Sequence, residues 1–287
     1  MRQFTYKDAK RKKKVGVTKL TLSELRNIDK LKPSKVNEAR YQGGMRYIES
    51  PEKDFHGTTS SNIIKKRAGG TWPDGSKKLR VIERELGDAV TTLTLSDCRR
   101  RPVWSDQGDE VDIHRVLGGQ LDTAWHTTKR NGSGLAPVVS LVCSWGGNAS
   151  RSTEELMWSM AATLVAAKIL EGSGYSVEIM ACILSDQYKS GDTVTAVKLK
   201  DADFPLEFET LASVSCFAGV FRSYGFAAIG LEEKIKVGGG YGSHINSIDS
   251  FEASKWELEG EPLAVNSCFT RSAAIAEIKK ILASAEE

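Results

Sequence analysis

No apolar run in the sequence approaches the roughly 18 residues a membrane span needs, and no apolar segment follows the basic N-terminus as in a secretory signal. A membrane-embedded or Sec-exported protein is therefore not expected. Cysteine is sparse: Cys98, Cys143, Cys182, Cys216 and Cys268 are odd in number, widely separated and form no C-x-x-C pair. That excludes a disulfide framework or a four-cysteine zinc site and predicts reduced, buried thiols in a cytoplasmic protein. Histidine is sparser still. His56, His114, His126 and His244 fall in no H-E-x-x-H pair, and no G-x-S-x-G elbow accompanies them. What remains is globular: 40% hydrophobic and 27% charged residues exclude a fibrous or wholly disordered chain.

The net charge of +3 conceals an asymmetry. Residues 1–102 carry 25 Lys and Arg against 12 Asp and Glu, a net +13, whereas residues 103–287 carry 15 against 25, a net −10. A basic segment beside an acidic domain points to a polyanionic partner or a counter-charged surface.

The first fourteen residues lack apolar periodicity and end in Lys10, Arg11, Lys12, Lys13 and Lys14, so they read as a mobile arm. Residues 1–60 are expected as a basic, partly extended N-terminal part. Within it, Thr21-Leu22-Ser23-Glu24 is a capping box opening a short helix, and residues 36–61, with Gly43-Gly44, read as loop and short helical pieces. Residues 61–134 are expected as a small helical and mixed connecting region. It has a helix over 62–68, a turn at Trp72-Pro73-Asp74-Gly75, a helix from Ser76 to Gly87, a strand over 91–96 and a short helix over 113–117.

Residues 135–287 read as an α/β domain. Residues 138–143 form a near-continuous apolar strand of the kind buried on both faces of a sheet. Ser152-Thr153-Glu154-Glu155 caps a long helix to about residue 170, and 177–184 is the next strand. An edge strand follows over 193–200, then a helix over 207–224, a short strand over 263–265 and a closing helix over 272–285. The sum is a mostly parallel sheet flanked by helices, Rossmann-like in organisation, with a basic N-terminal extension.

Few residues offer chemistry. Ser144 follows the buried strand where α/β proteins place ligands, which makes it the sole candidate nucleophile, of a hydrolase. Ser144, Asn148 and Ser150 offer oxygens to a hard cation, but no carboxylate lies between them. Gly238-Gly239-Gly240-Tyr241-Gly242 lacks the P-loop pattern, and Asp106, Asp109, Glu110 and Asp112 read as a solvated acidic loop. The basic clusters are stronger. Lys10 to Lys14, Lys65-Lys66-Arg67, Lys77-Lys78 and Arg99-Arg100-Arg101 alternate with Tyr6, Phe55 and Trp72. Cations neutralising phosphates beside aromatics that stack on bases are the ingredients of single-strand binding.

Three motifs resemble, in their order, an uncharacterised family of bacteriophage and mobile-element proteins over residues 60–200. They are Trp72-Pro73-Asp74-Gly75, Gly108-Asp109-Glu110-Val111-Asp112-Ile113 with Leu117-Gly118-Gly119, and Gly172-x-Gly174-Tyr175-x-Val177-Glu178. The resemblance implies a phage origin and action in the cytoplasm of an infected bacterial host or in the virion. The C-terminal part also resembles von Willebrand A-like domains in its run of strand, loop, long helix, strand and edge strand. Those domains bind magnesium through D-x-S-x-S. Cys143-Ser144-Trp145-Gly146-Gly147-Asn148 lacks the aspartate, so neither metal nor cofactor is expected. The expected function is that of a non-enzymatic phage accessory protein binding nucleic acid, possible single-stranded DNA included, or a phage protein complex through its basic part. The alternatives are an assembly component self-associating as a homo-oligomer through the arm, and the Ser144 hydrolase.

Overall fold

The computed structural model describes residues 1–90, 100–105, 110–130, 137–147, 151–187, 190–205, 207–238, 241 and 243–286. The chain opens with a hairpin, β1 (Arg2–Asp8) and β2 (Lys13–Thr21), paired antiparallel from Arg2↔Lys19 to Asp8↔Lys13. Helices α1 (Leu22–Arg26), α2 (Glu38–Glu49), α3 (Lys53–His56), α4 (Ser61–Ala68) and α5 (Pro73–Val90) follow. A small sheet then holds β3 (Arg100–Ser105), β4 (Glu110–Val111) and β5 (Trp125–Arg130) in the order β3-β5-β4, with α6 (Ile113–Leu117) between β4 and β5.

The main α/β unit comes next: β6 (Val138–Ser144), α7 (Thr153–Gly172), β7 (Ser176–Asp186) and β8 (Asp192–Lys200). After it, α8 (Phe208–Leu211), α9 (Ala218–Val220) and α10 (Phe226–Ile229) belong to two helical stretches bent by 60° at Phe217. The chain closes with β9 (Ser243–His244), β10 (Glu261–Val265) and α11 (Arg271–Glu286).

The main sheet runs β1-β2-β8-β7-β6-β10, with β9 on the far end of β7. Strands β2–β8, β6–β7 and β6–β10 pair parallel, whereas β1–β2, β7–β8 and β7–β9 pair antiparallel. The sheet is thus mixed rather than mostly parallel. The difference comes from the N-terminus. The expected mobile arm is β1 and the start of β2, and β2 lies along β8, turning the expected edge strand into an interior one. Its apolar alternation is short but sufficient, for Val15 and Val17 are fully buried.

All the large helices lie on one face. Leu141, Ile179 and Ala181 of the sheet share a core with Leu79 and Leu86 of α5, Leu164 of α7 and Ile278 of α11. That core takes in residues from Leu20 to Leu282 and so crosses the positions 60 and 135 where divisions were expected. Helix α7 is apolar all round because α5 and α11 flank it over the sheet, and the Ser152–Glu155 capping box starts it. The opposite face, with Val142, Met180, Cys182 and Leu184, is covered by an irregular strap carrying Ile248, Phe251 and Trp256.

Two local expectations also change. Trp72-Pro73-Asp74-Gly75 is the entry to α5 rather than a turn, with Pro73 at the first helical position, where its missing N–H costs nothing. Gly43-Gly44 lies inside α2, because Gly44 packs against the backbone of α10. The strand expected over 91–96 lies outside the described residues, as does Cys98. The other four cysteines are buried free thiols, and burial pushes Cys143 and Cys268 up to about 12.

Candidate functional site

The densest basic cluster is largely spent inside the molecule. Arg11 Nε donates to Asp192 at 2.6 Å and Lys13 Nζ to Asp186 at 2.8 Å, with longer crossed contacts of 3.5 Å. Asp192 is fully buried at the start of β8, so these cations neutralise a charge the sheet itself encloses. The hydrogen bonds that Arg11 donates to Asp192 and Lys13 donates to Asp186 hold the two cations above their usual range. Lys10 Nζ reaches the Asp249 carbonyl at 3.0 Å, and Lys12 and Lys14 stay exposed at the hairpin turn.

A second clamp fixes the same hairpin to the strap. Trp256 Nε1 donates to Tyr6 Oη at 2.8 Å and Tyr6 donates to Asp8 at 3.0 Å. Asp8 also accepts the backbone N–H of Arg11 and of Glu252, each at 2.9 Å. Burial works against the Asp8 carboxylate, but these donors outweigh it and hold its pKa below the usual range.

The remaining clusters divide. Lys65 and Lys66 are exposed on the last turn of α4, while Arg67 donates to the Thr71 carbonyl at 2.7 Å and lies over Trp72. Lys77 is exposed, and Lys78 pairs with Glu154 at 3.0 Å. Arg99 lies outside the described residues. Arg100 and Arg101 enter β3, where register sets them opposite Arg130 and Lys129 of β5. Four basic positions thus meet at one end of the small sheet. Sequence reading missed Lys129 and Arg130 because only cross-strand pairing brings them beside the arginine run. The same excursion exposes Trp125, Ile113, Leu117 and Leu121.

The loop after β6 offers little chemistry. Ser144 Oγ accepts a hydrogen bond from Ser267 Oγ at 2.8 Å, and no histidine hydrogen-bonds it among the described residues. Asn148 and Ser150, as well as Gly239, Gly240 and Gly242, lie outside the described residues. So do Asp106 and Asp109. No group of three or more His, Cys, Asp or Glu gathers as a metal site among the described residues. Glu178, which ends the third motif, is a fully buried structural charge held by Ser140 at 2.5 Å and Lys198 at 3.3 Å.

A pocket of about 380 Å³ opens where β7 outruns β6. Beyond Ser144 the sheet edge is continued by β9, which pairs Ser243 and His244 with Asp186 and Ser185. Tyr47 of α2, Phe55 of α3, Phe221, Phe226 of α10 and Tyr241 make the walls. Phe226 is their hub, stacked on Tyr241 at 4.3 Å and within 6.3 Å of the other three rings. Arg222, 3% exposed, enters the wall with its guanidinium on the carbonyls of Phe55 (2.6 Å) and Arg151 (2.8 Å). His244 Nε2 is buried without a hydrogen-bond partner among the described residues, and burial pushes that ring down to about 4, so it is neutral at pH 7. Sequence signalled none of this. The lining comes from six separate elements and has no motif.

The chain belongs to a family known as a domain of unknown function, DUF7192, whose profile matches residues 14–285, well beyond the 60–200 stretch that carries the three motifs. No curated protein and no solved structure matches it.

Proposed function

We propose that this member of a family of unknown function is a non-enzymatic protein that binds single-stranded nucleic acid through its small sheet. The observation that carries the reading is the β3–β5 register, which sets Arg100 and Arg101 opposite Arg130 and Lys129. Like charges across a ladder repel, and a phosphate backbone relieves that repulsion. Trp125, 39% exposed on the same sheet, supplies a face for an unpaired base. Lys65 and Lys66 of α4 and Lys77 of α5 are further exposed cations available to a phosphate backbone. The hairpin cluster, committed to Asp186 and Asp192, contributes only Lys12 and Lys14.

The finer reading of the main sheet as von Willebrand A-like is supported by the order β8-β7-β6-β10 with β8 antiparallel to β7, and by the β6–loop–α7 run. It departs from that family in having a strap instead of helices on the second face. Phage origin, and action in the host cytoplasm or the virion, belong to the same proposal and rest on the three sequence motifs.

Fluorescence anisotropy of a labelled single-stranded oligonucleotide over a salt series tests the reading. Log affinity should fall linearly with log salt, at about −0.7 per phosphate contacted. Changing Arg100, Arg101, Lys129 and Arg130 to Ala should flatten that slope, and Trp125→Ala should cost about 1–3 kcal/mol without changing it. An unchanged slope in the quadruple variant removes the small sheet as the interface.

A second reading, an assembly component, is favoured by Ile113, Leu117 and Leu121, which are 58%, 80% and 61% exposed. Light scattering after size exclusion decides between them, since a closed oligomer that dissociates on Leu117→Lys would favour assembly.

A further inference from the structure

The pocket at the end of β7 is separate from the small sheet, and its lining has a definite chemistry. Five aromatic side chains supply flat apolar surface. Among the described lining residues there is a cation, Arg222, and no carboxylate. That balance disfavours amines and favours a ligand that carries negative charge. His244 Nε2 is a buried polar atom with no partner among the described residues, and Ser243 adds a hydroxyl at the mouth. An unsatisfied buried nitrogen is costly unless something bonds it. Because the ring is neutral, it can serve a neutral base edge as donor or acceptor according to its tautomer. The volume of about 380 Å³ lies within the roughly 300–1,000 Å³ of small-molecule sites, toward the small end. Its place, beyond the carboxyl end of β6 and beside the last residues of β7, is near where open α/β sheets hold ligands.

We propose that this pocket binds a planar, anionic heteroaromatic ligand of the nucleoside monophosphate class, either as the free mononucleotide or as one unstacked residue of a strand. The ring lies among Phe55, Phe226 and Tyr241, its polar edge meets His244, and the phosphate faces Arg222. The proposal does not depend on the small sheet, so the quadruple Ala variant there should bind mononucleotide as the unaltered protein does.

Isothermal titration of the full chain with AMP, adenosine and inorganic phosphate, each alone, and with a ten-residue oligo(dA), tests it. AMP should bind, adenosine at least fivefold more weakly, and phosphate not at all. Ser243 is exposed at the mouth, so Ser243→Trp should fill the entrance without disturbing the core and weaken AMP at least tenfold. Phe55→Leu, a milder change at the lip, should weaken it in the same direction, with circular dichroism unchanged in both. Weakening confined to AMP identifies the free nucleotide as ligand, and weakening shared by oligo(dA) identifies a strand residue. The proposal is overturned if AMP does not bind, if adenosine binds as well as AMP, or if neither variant alters AMP affinity.

Discussion

Gly44 and Gly87 are both helical glycines, and their surroundings give them opposite roles. A Cβ on Gly44 would stand 2.3 Å from the Ala227 backbone nitrogen, and one on Gly230 would stand 2.3 Å from that of Tyr41. The two glycines let α2 and α10 touch backbone to backbone. Gly44→Ala should therefore destabilise by about 1–3 kcal/mol through overpacking. A Cβ on Gly87 meets nothing within 4 Å, so Gly87→Ala should stabilise α5 by about 0.5–1 kcal/mol. Chemical denaturation of the two variants reads both signs, and a stabilised Gly44→Ala would refute the close crossing. The histidines give a pH prediction. Burial lowers both His56 and His244 below the usual 6.5, to about 4 for His244. The unfolded chain then binds more protons than the folded one between those values, so stability is fully present above pH 6.5 and declines as pH falls toward 4. The loss should be on the order of 1–3 kcal/mol, and His244→Gln should flatten the thermal-stability profile across that window.

At the scale of elements, the hairpin and the closing helix make separate claims. Arg11→Ala should cost about 1–3 kcal/mol, because buried Asp192 loses a charged donor while Lys13 still faces it. A neutral result by urea denaturation would mean the cation is solvated rather than committed. Ile278 is fully buried between α11 and the sheet, so Ile278→Ala should cost about 2–5 kcal/mol. Elements with a strong local signal were legible. The capping boxes at Thr21 and Ser152 form as the residue types predict, and β6, α7 and β7 fall within a few residues of expectation. Where the signal was punctuation, reading failed. Glycine and proline mark turns only when nothing larger needs them, and at Gly44 and Pro73 a helix did.

At the scale of the whole molecule, the charge split is answered within the chain. Arg2 pairs with Glu257, Arg11 with Asp192, Lys13 with Asp186 and Lys78 with Glu154, each joining the basic part to the acidic part. Deleting residues 1–14 should accordingly lower the melting temperature, because it removes β1, bares β2 as an edge and strands Asp192. A truncated protein melting at the parent temperature would restore the mobile-arm reading. Sequence alone determined the α/β class, the central β6–α7–β7 unit and the two capped helices, since each is announced by a local signal, an unbroken apolar strand or a capping box. Only the tertiary structure decided that the basic N-terminus is sheet, that Arg100 and Arg101 meet Arg130 and Lys129, and that five distant aromatics enclose one pocket. Those depend on pairings across 28 to 250 positions, and no local pattern encodes which strand a short, cationic segment will lie beside.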